Sequence, residues 1–188
     1  RLNNIKRFVH VSTDEVYGSL GFDSPSSKEG DKLDPSSPYS GSKAGAEMIC
    51  AGQAKTYGQP IIITRSSNNF GPFQFPEKVI PLFVTNLMRG LKVPLYGTGK
   101  NVRDWIYVED NCAAIDTIIH NGRVGEIYNI GGGNELANVD LTKIILEEMG
   151  CGEEMINCVA DRLGHDFRYS INSLKTRRLS QTAVRSVS

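Results

Sequence analysis

Short β-branched runs alternate with helical stretches along almost the whole chain, and that order constrains the fold more than any single residue does. Residues 6–12 read as a buried strand that stops at the polar group Ser12-Thr13-Asp14-Glu15. Residues 18–38 are rich in Gly, Ser, Pro and charge, and read as a solvent-facing connection. A helix is expected over 39–57, with Ala44, Met48, Ile49 and Ala51 at helical spacing, Ser36 or Ser37 as its cap and Gly58 past its end. Residues 60–65 read as a second buried strand and 66–76 as irregular. Further on come a helix at 79–89, strands at 93–96 and 102–108 around a Gly97-Thr98-Gly99 turn, and a helix at 109–121. A strand at 126–130, a helix at 140–149 and a last strand at 155–160 complete the order. Strands separated by helices indicate an α/β protein with a mainly parallel sheet.

Charge and composition remove several function classes. The 188 residues carry 21 Lys+Arg against 21 Asp+Glu, so no net charge favours nucleic acid or a membrane surface as partner. Apolar runs such as 60–64 fall far short of the roughly 20 residues that cross a bilayer. Cys50, Cys112, Cys151 and Cys158 show no Cys-x-x-Cys spacing and no neighbouring His cluster, which points to reduced thiols, no metal site and a cytoplasmic location.

Two groups could carry chemistry. Tyr39 and Lys43 are four residues apart, hence on one helix face, where an ammonium can lower the pKa of a phenol and make it a base near neutral pH. Thr13-Asp14-Glu15 lies where a buried strand ends, the edge at which open α/β sheets bind ligands, and adjacent carboxylates there can divide into an acid and a base. Alone, the first group is more readily a surface pair and the second more readily a helix cap or a solvated turn. Their place on consecutive elements is harder to attribute to chance.

With these stand Ser37-Pro38-Tyr39-Ser40-Gly41-Ser42-Lys43, Ser67-Asn68-Asn69-Phe70-Gly71-Pro72, Phe75-Pro76-Glu77-Lys78, Arg103-Asp104-Trp105, Tyr107-Val108-Glu109-Asp110 and Tyr128-Asn129-Ile130-Gly131-Gly132. Together, in this order and over about residues 6–175, they resemble the dTDP-glucose 4,6-dehydratases of the extended short-chain dehydrogenase/reductase superfamily. Tyr-x-x-x-Lys marks the superfamily, and Thr-Asp-Glu marks the dehydratases within it.

The resemblance implies NAD as cofactor and a nucleotide-diphosphate sugar as substrate. It makes Tyr39 the base for oxidation at sugar C4, Lys43 the holder of the nicotinamide ribose, and Thr13 a partner of the C4 oxygen. Glu15 then removes the C5 proton and Asp14 protonates the departing C6 hydroxyl. Asn68 and Asn69 are implied to contact substrate and nicotinamide. Lys78, Val79, Pro94, Leu95, Tyr96, Arg103, Asn138, Asp161, Arg162 and His165 are implied to hold the nucleotide, with Arg103 on the diphosphate. Leu163 stands where the family usually has proline in Asp-Arg-Pro-Gly-His. A homodimer through the Tyr39–Lys43 helix is also implied.

The implied fold is α/β: the later strands of a Rossmann-type parallel sheet plus most of a smaller α/β substrate-binding domain. Residues 1–72 and about 100–132 are expected to form the second half of the NAD-binding domain. Residues of about 73–99 and 133–172 are expected to form the nucleotide-sugar-binding domain, with 173–188 as a divergent tail. No Gly-x-x-Gly-x-x-Gly turn occurs, so the strand at Phe8 is expected to be a middle strand and the chain to be partial. A UDP-sugar decarboxylase or 4-epimerase on the same scaffold, and a catalytically silent fragment, are the alternatives. Asp14 discriminates the first two, since decarboxylases of this type usually have serine there and epimerases lack the acidic pair.

Overall fold

The computed structural model describes residues 5–179. Strand β1 (Phe8–Thr13) leads through helix α1 (Pro38–Tyr57) into β2 (Ile61–Ser66), and β1 and β2 pair in parallel from Phe8↔Ile61 to Thr13↔Ser66. All six β2 residues are buried, as an apolar run must be when the strand is central and covered on both faces. Its other neighbour is β6 (Ile127–Ile130), also parallel, giving the sheet order β1-β2-β6.

Helix α1 starts where local chemistry requires. Ser37 caps it, with Ser37 Oγ accepting from Ser40 N at 3.1 Å and Ser40 Oγ accepting from Ser37 N at 3.0 Å, while Pro38 occupies its first turn. Gly58 ends the helix at φ 63°, a left-handed conformation that glycine adopts without strain.

Two smaller sheets follow. β3 (Asn68–Phe70) pairs in parallel with β5 (Val102–Tyr107), and β7 (Glu135–Ala137) pairs antiparallel on the other side of β5. β4 (Val93–Tyr96) pairs in parallel with β8 (Ile156–Val159). The Gly97–Gly99 turn therefore joins strands of two different sheets and does not close a hairpin. Helices α2 (Val79–Met88), α3 (Val108–Asn121) and α4 (Asn138–Glu148) lie between these strands in sequence. Within the segment expected to be irregular, β3 is ordered by its pairing with β5, and β7 was not anticipated at all.

Strand β5 joins the cores. Trp105 belongs to a cluster with Phe83, Leu87, Val93, Leu141, Ile145 and Leu146, whereas Ile106 packs with Ile62, Ile118, Tyr128 and Ile130. Successive strand residues point to opposite faces, so one strand serves both clusters. Of the expected tail, Leu174–Leu179 forms α5, and 180–188 lie outside the described residues. Among the described residues no helix is long and apolar enough to cross a membrane, and all four cysteines are free thiols.

Candidate active site

Strand β1 delivers Thr13 to the carboxyl end of the first sheet, where the chain turns at once into a single 3-10 turn, Asp14–Tyr17. Thr13 caps that turn. Its Oγ1 accepts from Glu15 N and donates to Asp14 Oδ1, each at 3.3 Å. Asp14 is only 3% exposed, and its Oδ2 has no partner among the described residues. Burial, followed by the charges of Glu15 and Asp104, pushes its pKa up to about 8, against the pull of the Thr13 hydrogen bond and of Arg103. Burial also raises Glu15, and Arg103 pulls it back. The turn thus pairs an acid that holds its proton at neutral pH with a carboxylate facing a cation.

Tyr39 and Lys43 stand one turn apart near the start of α1, as their spacing implied. The expected lowering of the Tyr39 pKa is not found. Burial raises it, Glu15 and Asp14 raise it further, and a hydrogen bond with Thr13 works the other way. The reason is geometric: Lys43 Nζ donates to the main-chain oxygen of Val11 at 2.7 Å, while the charges that face the phenol are carboxylates.

Buried polar atoms without a partner among the described residues gather at the carboxyl ends of β1 and β2. They include Ser12 Oγ in β1 and Asn69 Oδ1 just beyond β2. Asn69 Nδ2 is turned to Ser67 O at 3.0 Å. Free acceptors and hydroxyls at this edge match the ribose and carboxamide of a nicotinamide nucleoside, so the residues present fit that end of NAD.

A cavity of about 590 Å³ opens beside the turn. Of the residues singled out in the sequence, Glu15, Asn68, Lys78, Val79, Pro94, Leu95, Tyr96, Arg103, Asn138, Arg162 and His165 form its wall. Thr13, Asp14, Tyr39, Lys43, Asn69 and Asp161 do not. Asp161 contacts the wall residue His165, whose Nδ1 lies 2.6 Å from Asp161 Oδ1. Burial lowers the His165 pKa against that bond, and its Nε2 has no protein partner.

Arg103 does not spend itself on Asp104. Its Nη1 donates to Val102 O at 2.7 Å and its Nη2 to Asp166 O at 3.0 Å, with the guanidinium 4.3 Å above the Tyr169 ring. Asp104 instead accepts from Asn134 N at 2.7 Å. The cation is therefore pinned beside the cavity, with no salt bridge to any of the described residues.

Sequence reasoning missed several wall residues, notably Trp105, Asp166 and Tyr169. Trp105 is 3% exposed and its indole N–H has no protein partner. Asp166 accepts from both Ser36 Oγ and Tyr169 OH, tying the loop after β8 to the segment that caps α1. Trp105 lay inside a quoted motif, Arg103-Asp104-Trp105, so adjacency to Arg103 was an available signal. Asp166 and Tyr169 carry no spacing that marks them.

Comparison with known proteins gives the family. The profile of the NAD dependent epimerase/dehydratase family matches residues 1–131. A dTDP-glucose 4,6-dehydratase of Actinoplanes sp. is 51% identical over 173 residues, covering 92% of this chain and 53% of the relative. One from Streptomyces antibioticus is 52% identical over 168 residues, covering 89% and 50%. The crystal structure of DesIV, a dTDP-glucose 4,6-dehydratase from Streptomyces venezuelae with NAD and TYD bound, superposes with a TM-score of 0.89 at 52% identity, over 92% of this chain and 53% of that one. The chain spans about half the length of the curated relatives it matches. With the family profile covering well over half of its residues, the chain belongs to the NAD dependent epimerase/dehydratase family.

Proposed function

We propose that this protein acts as an NAD-dependent nucleotide-sugar 4,6-dehydratase, converting dTDP-glucose to dTDP-4-keto-6-deoxyglucose. The observation that carries the reading is the Asp14–Glu15 turn: a buried acid with its pKa near 8 beside a carboxylate at the cavity wall, with Tyr39 within reach of both charges. An elimination needs one group to take a proton and another to give one, and the two residues are solvated differently enough to do so.

When bound, NAD accepts the hydride from sugar C4 and returns it to C6. Thr13 bonds the C4 oxygen, Lys43 and Asn69 hold the nicotinamide end, and Tyr39, whose phenol is ionised only once the positive charge of the oxidised nicotinamide offsets the nearby carboxylates, takes the proton from that hydroxyl. The C4 ketone acidifies the C5 proton, which Glu15 removes and gives back to C5 when the hydride reaches C6. Asp14 gives its proton to the C6 hydroxyl, which leaves as water. Arg103 faces the diphosphate, supported by its fixed guanidinium. Asn68, Lys78, Val79, Pro94, Leu95, Tyr96, Asn138, Asp161, Arg162 and His165 hold the rest of the nucleotide sugar.

Residues 1–72 and about 100–132 form part of the cofactor domain in this reading, and about 73–99 and 133–172 the substrate domain. The separation of the β1-β2-β6 sheet from the β4-β8 sheet supports that division. Two copies pair through α1, on which Met48 and Ile49 are 57% and 68% exposed, and the four free thiols suit a cytoplasmic location. The test is a product assay with dTDP-glucose and NAD, on the protein at its full encoded length. The expected product is a 4-keto sugar lighter than the substrate by one water.

A further inference from the structure

Glu47 lies one turn after Lys43 and two turns after Tyr39, on the same stripe of α1, and it is completely buried. Arg65 of β2 grips its carboxylate. Arg65 Nε donates to the two oxygens at 3.0 and 3.1 Å, and Nη2 donates to one of them at 2.6 Å. The remaining nitrogen, Nη1, donates to Tyr17 OH at 2.7 Å and to Glu29 O at 3.2 Å, and the guanidinium sits 4.7 Å from the Tyr17 ring centroid. Tyr17 in turn donates to Asn129 Oδ1 at 2.8 Å on β6.

None of these groups lines the cavity, yet each end of the chain of bonds is covalently close to the chemistry. Tyr17 closes the 3-10 turn that begins with Asp14 and Glu15, and Glu47 sits on the helix that presents Tyr39. Removing an ion pair from water is an indifferent route to stability, since desolvation offsets the attraction, and an apolar trio of the same volume would fill the space as well. What an apolar trio cannot do is fix direction: a forked guanidinium and a phenol bonded on both sides allow one arrangement of three elements.

We propose that Glu47, Arg65 and Tyr17 are positioning residues that set the Asp14–Glu15 turn against Tyr39. The kinetic consequence rests on the dehydratase reading above. Oxidation draws on Tyr39 and elimination on the turn, so loosening the link between them slows elimination more than oxidation.

The substitution to make is Tyr17→Phe, which keeps the ring under Arg65 and removes only the hydroxyl. It is measured in the full-length protein against Tyr57→Phe, an exposed tyrosine at the end of α1. Expected is a roughly 10- to 100-fold loss in the elimination step, with C4 oxidation and KM changed by less than about three-fold. Arg65→Lys behaves similarly, because a point charge does not restore the fork. Equal loss of both steps, or no loss in either, overturns the proposal. A second readout needs no substrate: the titration of Tyr39 followed by NMR of ring-labelled tyrosine reports its distance from Glu15 and Asp14, which raise its pKa through space. Its midpoint moves in Tyr17→Phe and stays in Tyr57→Phe; an unmoved midpoint in both also overturns the proposal. If the unsubstituted protein makes no 4-keto sugar but the midpoint moves, the dehydratase reading falls and the positioning network stands.

Discussion

Asp14 and Glu15 are neighbours in the chain that meet opposite surroundings: Asp14, at the start of the 3-10 turn, is buried at 3% exposure, and Glu15 forms part of the cavity wall facing Arg103. This difference in solvation, produced by one turn of backbone, suits one carboxyl to give a proton and the other to take one in the proposed reaction.

The buried acid has a stability consequence. Its folded pKa, about 8, lies above the ordinary carboxylate value, so between about pH 4 and pH 8 the folded state holds a proton that the unfolded state has released. Stability contributed by this group is therefore full at low pH and is lost as pH rises through that window. Asp14→Asn, which is neutral at every pH, is expected to raise the melting temperature more at pH 7.5 than at pH 5, by about 2–4 °C for each kcal/mol relieved. Thermal unfolding at the two pH values checks this, and an equal shift at both contradicts the buried acid.

The same substitution separates the chemical steps. Asp14→Asn or Glu15→Gln should slow elimination by about 10²- to 10⁴-fold while leaving C4 oxidation measurable as transient reduction of NAD. Single-turnover absorbance is the measurement. Parallel loss of oxidation and elimination counts against the assigned roles.

Arg103 is fixed by main-chain oxygens and by the Tyr169 ring, leaving its charge for an anion. Arg103→Lys keeps the charge and loses the fork. KM for the nucleotide sugar should rise about 10- to 30-fold, the effect of losing one charge-assisted hydrogen bond, with kcat changed much less. Steady-state kinetics with dTDP-glucose reads this, and an unchanged KM removes Arg103 from the diphosphate.

The Glu47–Arg65 pair should show strong coupling in unfolding experiments. Glu47→Leu strands a buried guanidinium and is expected to cost about 3–5 kcal/mol, whereas Glu47→Leu with Arg65→Met costs much less. Additive losses in denaturant unfolding contradict a coupled pair.

The alternation of strands and helices was legible because its signals are local: β-branched runs for β1 and β2, and Ser37 and Gly58 at the ends of α1. β3 and β7 were not legible. Asn68-Asn69-Phe70 and Glu135-Leu136-Ala137 are each too short and too polar to show a period, and both exist through pairing with β5. The site divides the same way. Thr13, Asp14, Glu15, Tyr39 and Lys43 carry recognisable spacing, and the expected residues of the nucleotide-sugar pocket came from motif order. The raised Tyr39 pKa was not legible, because the Lys43–Tyr39 spacing says nothing of the Val11 carbonyl that takes the ammonium. Nor were Asp166, Tyr169 and the Glu47–Arg65–Tyr17 network, since burial and partnership across the fold leave no mark on neighbouring residues.

The central claim is that hydrogen taken from sugar C4 is returned to C6 after water has left. It is tested most directly with dTDP-glucose deuterated at C4, NAD and the full-length protein, the product being read by NMR. The account predicts a 4-keto-6-deoxy sugar with the deuterium in its C6 methyl group. Deuterium retained at C4 of an epimer, or a pentose product, contradicts it.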